Sequence, residues 1–261
     1  MNLGTKSEGN FVDRFYSPFT SWPSIAPNFL ALPDIYSIDL QKAKSEIEAL
    51  IQRFALAPFK FGSKDGRVRS RLSYRGIGLT TRPEAEDPLY DSLNLYGDQG
   101  RKLDIYQTFA KVSEKLPASE RVIEVLDETG FSELTEACTP YFQSVLSKFK
   151  SNYSKVRLLE LMPGGQIPPH VDFPYYEGIR VHAVIDSNPE VLWEVNGEQF
   201  KIPSDGRFYW FDTGKYHAVS NPGKTPRLVL SINLLVYKNR DGSQRFKENH
   251  NLEDLILKAL I

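Results

Sequence analysis

The chain has 261 residues, with 32 Lys plus Arg against 33 Asp plus Glu, a net charge of -1, and one cysteine, Cys138. This balance excludes the basic surplus that grips nucleic acid or an acidic membrane surface, and points to a small molecule or peptide as partner. A lone cysteine excludes an internal disulfide framework and a Cys-built zinc or iron-sulfur site, suits a reducing compartment, and leaves histidine and carboxylate to bind any metal.

Residues 1 to 36, with "FYSPFTSWPSIAPNFLALPDIY", mix Pro and Ser with aromatics and predict a loop pinned to the surface by its rings, since disordered tails are aromatic-poor. The N-terminus lacks the basic start and apolar run of a targeting segment, and no stretch is long and apolar enough to span a bilayer, so a cytoplasmic location is expected. From Ser37 onward, Leu40, Ala43, Ile47, Leu50, Ile51 and Phe54 recur at helical spacing and predict an amphipathic helix ending before Pro58. Residues 59 to 105 are broken by Gly, Pro and short polar residues and predict loops with one short strand. Two further helices are expected, one near 119 to 129 that stops at Gly130, and one from Ser132 carrying Leu134, Ala137, Tyr141, Val145 and Phe149.

After Tyr153 the texture changes to short runs rich in β-branched and aromatic residues, among them "KVRLLEL", "RVHAVI", "RFYWF" and "RLVLSINLLVY". Turn signals separate them, including an Asn196-Gly197 hairpin turn. About eight strands without crossover helices read as a jelly-roll or barrel rather than a parallel sheet. The end, "NLEDLILKALI", reads as a short helix. The expected organisation is an α+β single domain: a helical and loop-rich part over 1–150, a jelly-roll core over 151–240 and a C-terminal helix over 241–261.

Three of the four histidines fall in the strand-rich part, His170 in "MPGGQIPPHVDF", His182 in "GIRVHAVI" and His217 in "FYWFDTGKYHAVSN". In a strand, residues i and i+2 share a face, so His170 and Asp172 project together. Taken alone, a His-x-Asp pair is more often an ordinary hydrogen-bonded pair. With His217 from a late strand, however, it makes a two-His-one-carboxylate set, which leaves open positions on Fe(II), although zinc uses the same ligands. Arg227 stands ten residues beyond His217, within an apolar strand where a charge is costly unless it meets an anion. Ser231 shares its face by alternation. Arg180 and His182 share one face of another strand, which is either a buried pair of donors or an exposed sheet face. In "RVRSRLSYRG", Arg67, Arg69, Arg71 and Arg75 are for the most part expected to form a solvated basic loop, with Arg75 beside Tyr74 the foremost candidate for a substrate carboxylate and Tyr175 and Tyr176 as further walls.

The ordered motifs "LMPGGQIPPHVDF", "RVH", "FDTGKYHAV" and "PRLVLSINL" resemble the 2-oxoglutarate- and iron(II)-dependent dioxygenases of the aspartyl/asparaginyl β-hydroxylase group, which includes bacterial free-proline hydroxylases. The similarity covers residues 155 to 238. It implies a double-stranded β-helix, the cupin-like jelly-roll. It also implies His170, Asp172 and His217 as iron ligands, Arg227 as partner of the far carboxylate of 2-oxoglutarate, and Arg180 and His182 as further co-substrate contacts. Asp212 matches a position of structural or supporting role. Leu159 stands where some relatives carry a co-substrate-binding serine. The carboxylate Asp172, absent from the vertebrate protein-hydroxylase branch, allies the chain with the bacterial branch and speaks against a halogenase.

The implied activity is hydroxylation of an unactivated C–H of an amino acid, free or within a peptide, using Fe(II), 2-oxoglutarate and O2 with release of succinate and CO2, and with ascorbate as a stimulant. The competing expectations are a non-catalytic cupin that binds or senses a small ligand, and a metal-dependent isomerase or hydrolase on the same barrel.

Overall fold

The computed structural model describes residues 29–62, 68–93, 130–170, 179–211, 213 and 215–235. The helices expected over 119–129 and 241–261, most of the N-terminal loop, and Arg67, Asp172, Tyr175, Tyr176 and Asp212 lie outside the described residues. Among the described residues no helix is long and apolar enough to cross a membrane.

Among the described residues eight strands lie between 152 and 235: β6 (Asn152–Leu161), β7 (Gln166–His170), β8 (Ile179–Asp186), β9 (Leu192–Val195), β10 (Glu198–Phe200), β11 (Phe208–Phe211), β12 (His217–Ser220) and β13 (Arg227–Leu235). Before them come β1 (Phe29–Ala31), β2 (Ala57–Gly62), β3 (Val68–Gly78), β4 (Thr80–Thr81) and β5 (Glu133–Leu134). A seven-stranded sheet has the order β1-β11-β8-β13-β6-β3-β2, and a four-stranded sheet the order β10-β9-β12-β7. The chain passes from one sheet to the other between β6 and β7, β7 and β8, β8 and β9, β10 and β11, β11 and β12, and β12 and β13. All pairings are antiparallel. This is the double-stranded β-helix expected for the core, in an α+β chain.

Period-two alternation gives the large sheet two unlike faces. Val156, Leu158, Ile179, Val181, Ala183, Ile185, Leu230, Ile232 and Leu234 pack on one side against the helix Leu40–Arg53 and the short helix Pro140–Leu146. Leu159, Leu161, Val184 and Val229 point the other way, into a second core shared with Trp193, Val195 and Val219 of the small sheet. The long helix begins at Asp39, whose side chain accepts from Lys42 N at 3.0 Å, and buries Ala43, Ile47 and Leu50.

Two expectations fail here. Residues 57–62 and 68–78 are not loops but two paired strands that extend the large sheet, β3 lying against β6. The glycines that read as breakers are close-approach positions: a Cβ on Gly76 would sit 2.6 Å from the Leu158 carbonyl oxygen and 2.8 Å from Leu159 Cδ2. The first 150 residues are therefore strand-bearing. The helix expected from Ser132 shrinks to Pro140–Leu146. Thr135 diverts the chain before it, donating its N–H to Leu79 O (3.0 Å) and its hydroxyl to Gly78 O (2.7 Å), and Pro140 disfavours helical geometry at Thr139. Leu134, placed on the helix's apolar stripe by spacing, is instead an exposed strand residue.

Candidate functional site

The inner face of the large sheet is apolar in part and charged in part. On β13, Arg227, Val229, Ser231 and Asn233 alternate with the outward Leu228, Leu230, Ile232 and Leu234. The register sets Arg227 and Tyr74 beside Leu161, Ser231 beside His182 and Arg157, and Asn233 beside Arg180. All of these polar residues but Tyr74 are buried.

Opposite them, the small sheet brings the two candidate histidines together. His170 ends β7, His217 begins β12, and the register pairs them directly, with ring centroids 4.2 Å apart. The turn that delivers His170 is the Pro-Gly-Gly stretch: Gly164 has φ 72°, open only to residues that tolerate the left-handed region, and its N–H donates to Asn221 O at 2.7 Å. Each imidazole is oriented by its own strand. Nδ1 of His170 meets Pro168 O at 2.8 Å, and Nδ1 of His217 meets Lys215 O at 3.0 Å. A carbonyl only accepts, so Nδ1 is the donor in both contacts, and in a neutral ring Nε2 is the atom that carries the lone pair. Among the described residues no group of three His, Cys, Asp or Glu side chains gathers as a metal set. The expected third ligand, Asp172, is outside them.

Aromatic contacts link the histidines to Arg227 between the two sheets. Phe211 lies 5.5 Å from His217 and 4.9 Å from His182, Trp193 lies 5.6 Å from His182, and the Arg227 guanidinium sits 4.7 Å from the Trp193 ring. Arg227 is 1% exposed, and burial pulls its pKa down, while the nearby Tyr74 acts in the opposite sense. Its Nε finds no hydrogen-bond partner among the described residues, and neither does the buried Ser231 Oγ.

Of the remaining candidates, Arg180 is buried and donates from Nε to Asn233 Oδ1 at 2.8 Å, and His182 is buried beneath Phe211. The exposed-face alternative for this pair is thereby excluded. Ser231 lies next to His182, four residues and about 13 Å along the strand from Arg227. Leu159 is an apolar wall, 1% exposed. Arg75 is a correction: it points away from Tyr74's face and is ion-paired through Nε and a terminal nitrogen with Glu160, its register partner. Its charge is matched inside the protein, which removes it as holder of a substrate carboxylate. Arg71 is half-buried, its pKa lowered by desolvation, beside Phe59 in register. Arg69 contributes described backbone only.

Two residues escaped the reading of the sequence. Arg157 is buried on the inner face, its guanidinium 5.6 Å from the Phe59 ring and 3.3 Å from Ser92 O. Alternation in "KVRLLEL" held the signal. Asn221 is fully buried and donates to Leu161 O and Thr225 O, both at 2.9 Å, while its Oδ1 accepts from Asn188 Nδ2 at 2.9 Å. It ties the His170 turn to the loop that launches Arg227. No local pattern announces a bond between residues so far apart in sequence.

Residues 121–235 match the model of the Aspartyl/Asparaginyl beta-hydroxylase family, a stretch that takes in β5 to β13. The resemblance carried by the four motifs is thus met by a family match across the whole double-stranded β-helix. No curated protein matches the chain. Among solved structures, a 2OG-Fe(II) oxygenase family oxidoreductase from Burkholderia pseudomallei is 14% identical, with 92% of this chain and 96% of that chain covered and a TM-score of 0.42. A predicted oxalate decarboxylase from Thermotoga maritima is 18% identical over 40% of this chain and 77% of that one, with a TM-score of 0.27. A Cupin_2 domain of a transcriptional regulator from Enterobacter cloacae is 23% identical over 31% of this chain and 80% of that one, with a TM-score of 0.25.

Proposed function

We propose that the chain is an Fe(II)- and 2-oxoglutarate-dependent dioxygenase that hydroxylates an unactivated C–H of an amino acid, free or within a peptide, releasing succinate and CO2. The observation that carries this reading is the facing pair His170 and His217, rings 4.2 Å apart, inside a barrel that also buries Arg227.

The residues fit the groups they would hold. Both imidazoles donate from Nδ1 to main-chain carbonyls, which leaves Nε2 as the metal-binding atom and limits ring rotation. Asp172, two residues past His170, is the proposed third ligand. Arg227 is fully buried with Nε lacking a hydrogen-bond partner among the described residues, a state that a carboxylate would relieve by charge-assisted pairing. Arg180, His182 and Ser231 are proposed as further co-substrate contacts nearer the histidines.

When bound, iron and 2-oxoglutarate supply with O2 an oxidant able to break a C–H bond. The chain's own work is positional. Arg227 fixes the co-substrate's far end, while Trp193, Phe211, Val219 and Val229 wall the pocket and keep bulk water from the reacting centre. Zinc accepts the same ligands, but a buried guanidinium suited to a dicarboxylate favours the oxygenase. A cytoplasmic location and stimulation by ascorbate belong to the same proposal, the former supported by the unpaired, buried Cys138.

The test is a screen of free amino acids and short peptides for succinate formation dependent on iron and O2, with product gaining one oxygen atom. Ligand binding without turnover across the screen would favour the sensor cupin, and activity retained without O2 would favour an isomerase or hydrolase.

A further inference from the structure

β7 carries His170 at the edge of the small sheet, where β12 is its one paired neighbour among the described residues. The register between the two strands is interrupted. Val219 faces Ile167 and His217 faces His170, so on β12 the single residue Ala218 stands opposite two residues of β7, Pro168 and Pro169. Two residues against one make a β-bulge.

The bulge decides which way His170 points. Before it, Ile167 packs with Val219 against the inner core, while Gln166 is exposed. Period-two alternation carried on from there would put Pro168 and His170 on the outer face with Gln166. Instead both prolines are exposed opposite Ala218, and His170 comes round to the inner face, its ring 4.2 Å from that of the buried His217. The bulge orients the ring as well, since it is the Pro168 carbonyl that accepts from His170 Nδ1 at 2.8 Å.

Packing does not account for the two prolines, which are exposed. Their missing N–H groups do. Neither can donate to β12, so no ladder hydrogen bond from this stretch favours a regular register. Each ring fixes φ at about -65°, and Pro168, standing before a second proline, is also held in extended backbone.

We propose that the Pro168-Pro169 bulge is a positioning device for the metal site: its one extra residue turns His170 from the outer face of β7 to the inner one, opposite His217. This deepens, and rests on, the reading of the two histidines as metal ligands. The residue count sets the aim, and the prolines keep it from being lost by a slip of register.

Two experiments on the full chain test this. In the first, Zn(II) is titrated calorimetrically into wild type, Pro169→Ala and a variant with Pro169 deleted, with folding followed by circular dichroism. Pro169→Ala keeps the residue count and should bind within about tenfold of wild type, whereas the deletion should bind about a hundredfold or more weakly with its fold retained. Equal binding by all three, or equal loss in Pro169→Ala and the deletion, would overturn the proposal and leave the prolines as guards of an exposed edge. The second experiment needs neither metal nor the deletion. His170→Cys combined with His217→Cys should close a disulfide under oxidised glutathione, as facing residues on one side of an antiparallel pair, and Pro169→Cys combined with His217→Cys should not. The reverse pattern would mean regular alternation through β7 and would overturn the proposal. A wild type that binds no Zn(II) would remove the metal reading, and the positioning role with it, while closure of the first cysteine pair would still fix the inward aim of His170.

Discussion

The two faces of β13 do opposite things with the same backbone. Leu228, Leu230, Ile232 and Leu234 join an apolar core under two helices, whereas Arg227, Ser231 and Asn233 carry buried polar atoms on the inner face. Burying apolar surface stabilises by roughly 25 cal/mol per Å², while burying a guanidinium without a carboxylate opposes folding. The outer face therefore holds the sheet together, and the inner face is kept polar at some expense of stability. A polar interior that weakens the fold is retained where it binds something.

That contrast can be broken most sharply at Arg227. Arg227→Met should weaken 2-oxoglutarate binding by about a hundredfold or more, the effect of removing one partner of a buried charged pair. The variant should melt no lower than wild type, because a buried charge is replaced by an apolar chain of similar length. On the other face, Ile232→Ala should cost about 2–5 kcal/mol in urea unfolding while leaving co-substrate affinity intact in the folded fraction. If Ile232→Ala impaired binding and Arg227→Met impaired folding, the division of labour would be reversed.

Asn221 acts on the site through the main chain, since its bonds to Leu161 O and Thr225 O hold the His170 turn against the loop before Arg227. Asn221→Ala should cost about 1–3 kcal/mol by stranding buried carbonyls, and should also loosen metal and co-substrate binding together. A stability loss with both affinities unchanged would restrict Asn221 to the fold.

A smaller effect concerns pH. Cys138, in the outer core, has its thiol pushed up from 9.0 to about 12 by burial. A raised folded value means that the unfolded chain loses the proton first, so stability is full below pH 9 and falls as pH rises from there toward 12. Alkaline melts should show this slope in wild type and a shallower one in Cys138→Ala, and thiol reagents should label the folded protein only slowly. The smallest change is expected at the surface. Lys44 and Asp186 are 3.1 Å apart with side chains 41% and 61% exposed, and Lys44→Ala should shift stability by no more than about 1 kcal/mol.

Much of this was legible in sequence because strands alternate. "RLVLSINLL" places Arg227 and Ser231 on one side by period two alone, and the strands of the barrel follow from runs between turn signals. Less legible was anything decided across sheets. Gly76 of β3 looks like a breaker until β6 is seen to press against it. Thr135 and Pro140 cut short a helix that the apolar spacing supports, because hydrogen bonds to Gly78 and Leu79 and the constraint before proline outweigh local periodicity. Arg75 and Tyr74 are neighbours in sequence with opposite fates, one neutralised by Glu160 on the outer face and the other stacked on Phe59 on the inner face. Only their pairing with β6 decides which is which.

The facing histidines are proposed to form a metal site. Calorimetric titration of Fe(II) under anaerobic conditions into wild type, His170→Ala and His217→Ala tests it directly. One equivalent bound by wild type, and binding lost in both variants with the fold retained by circular dichroism, is the predicted result. Equal iron binding by all three proteins would contradict it.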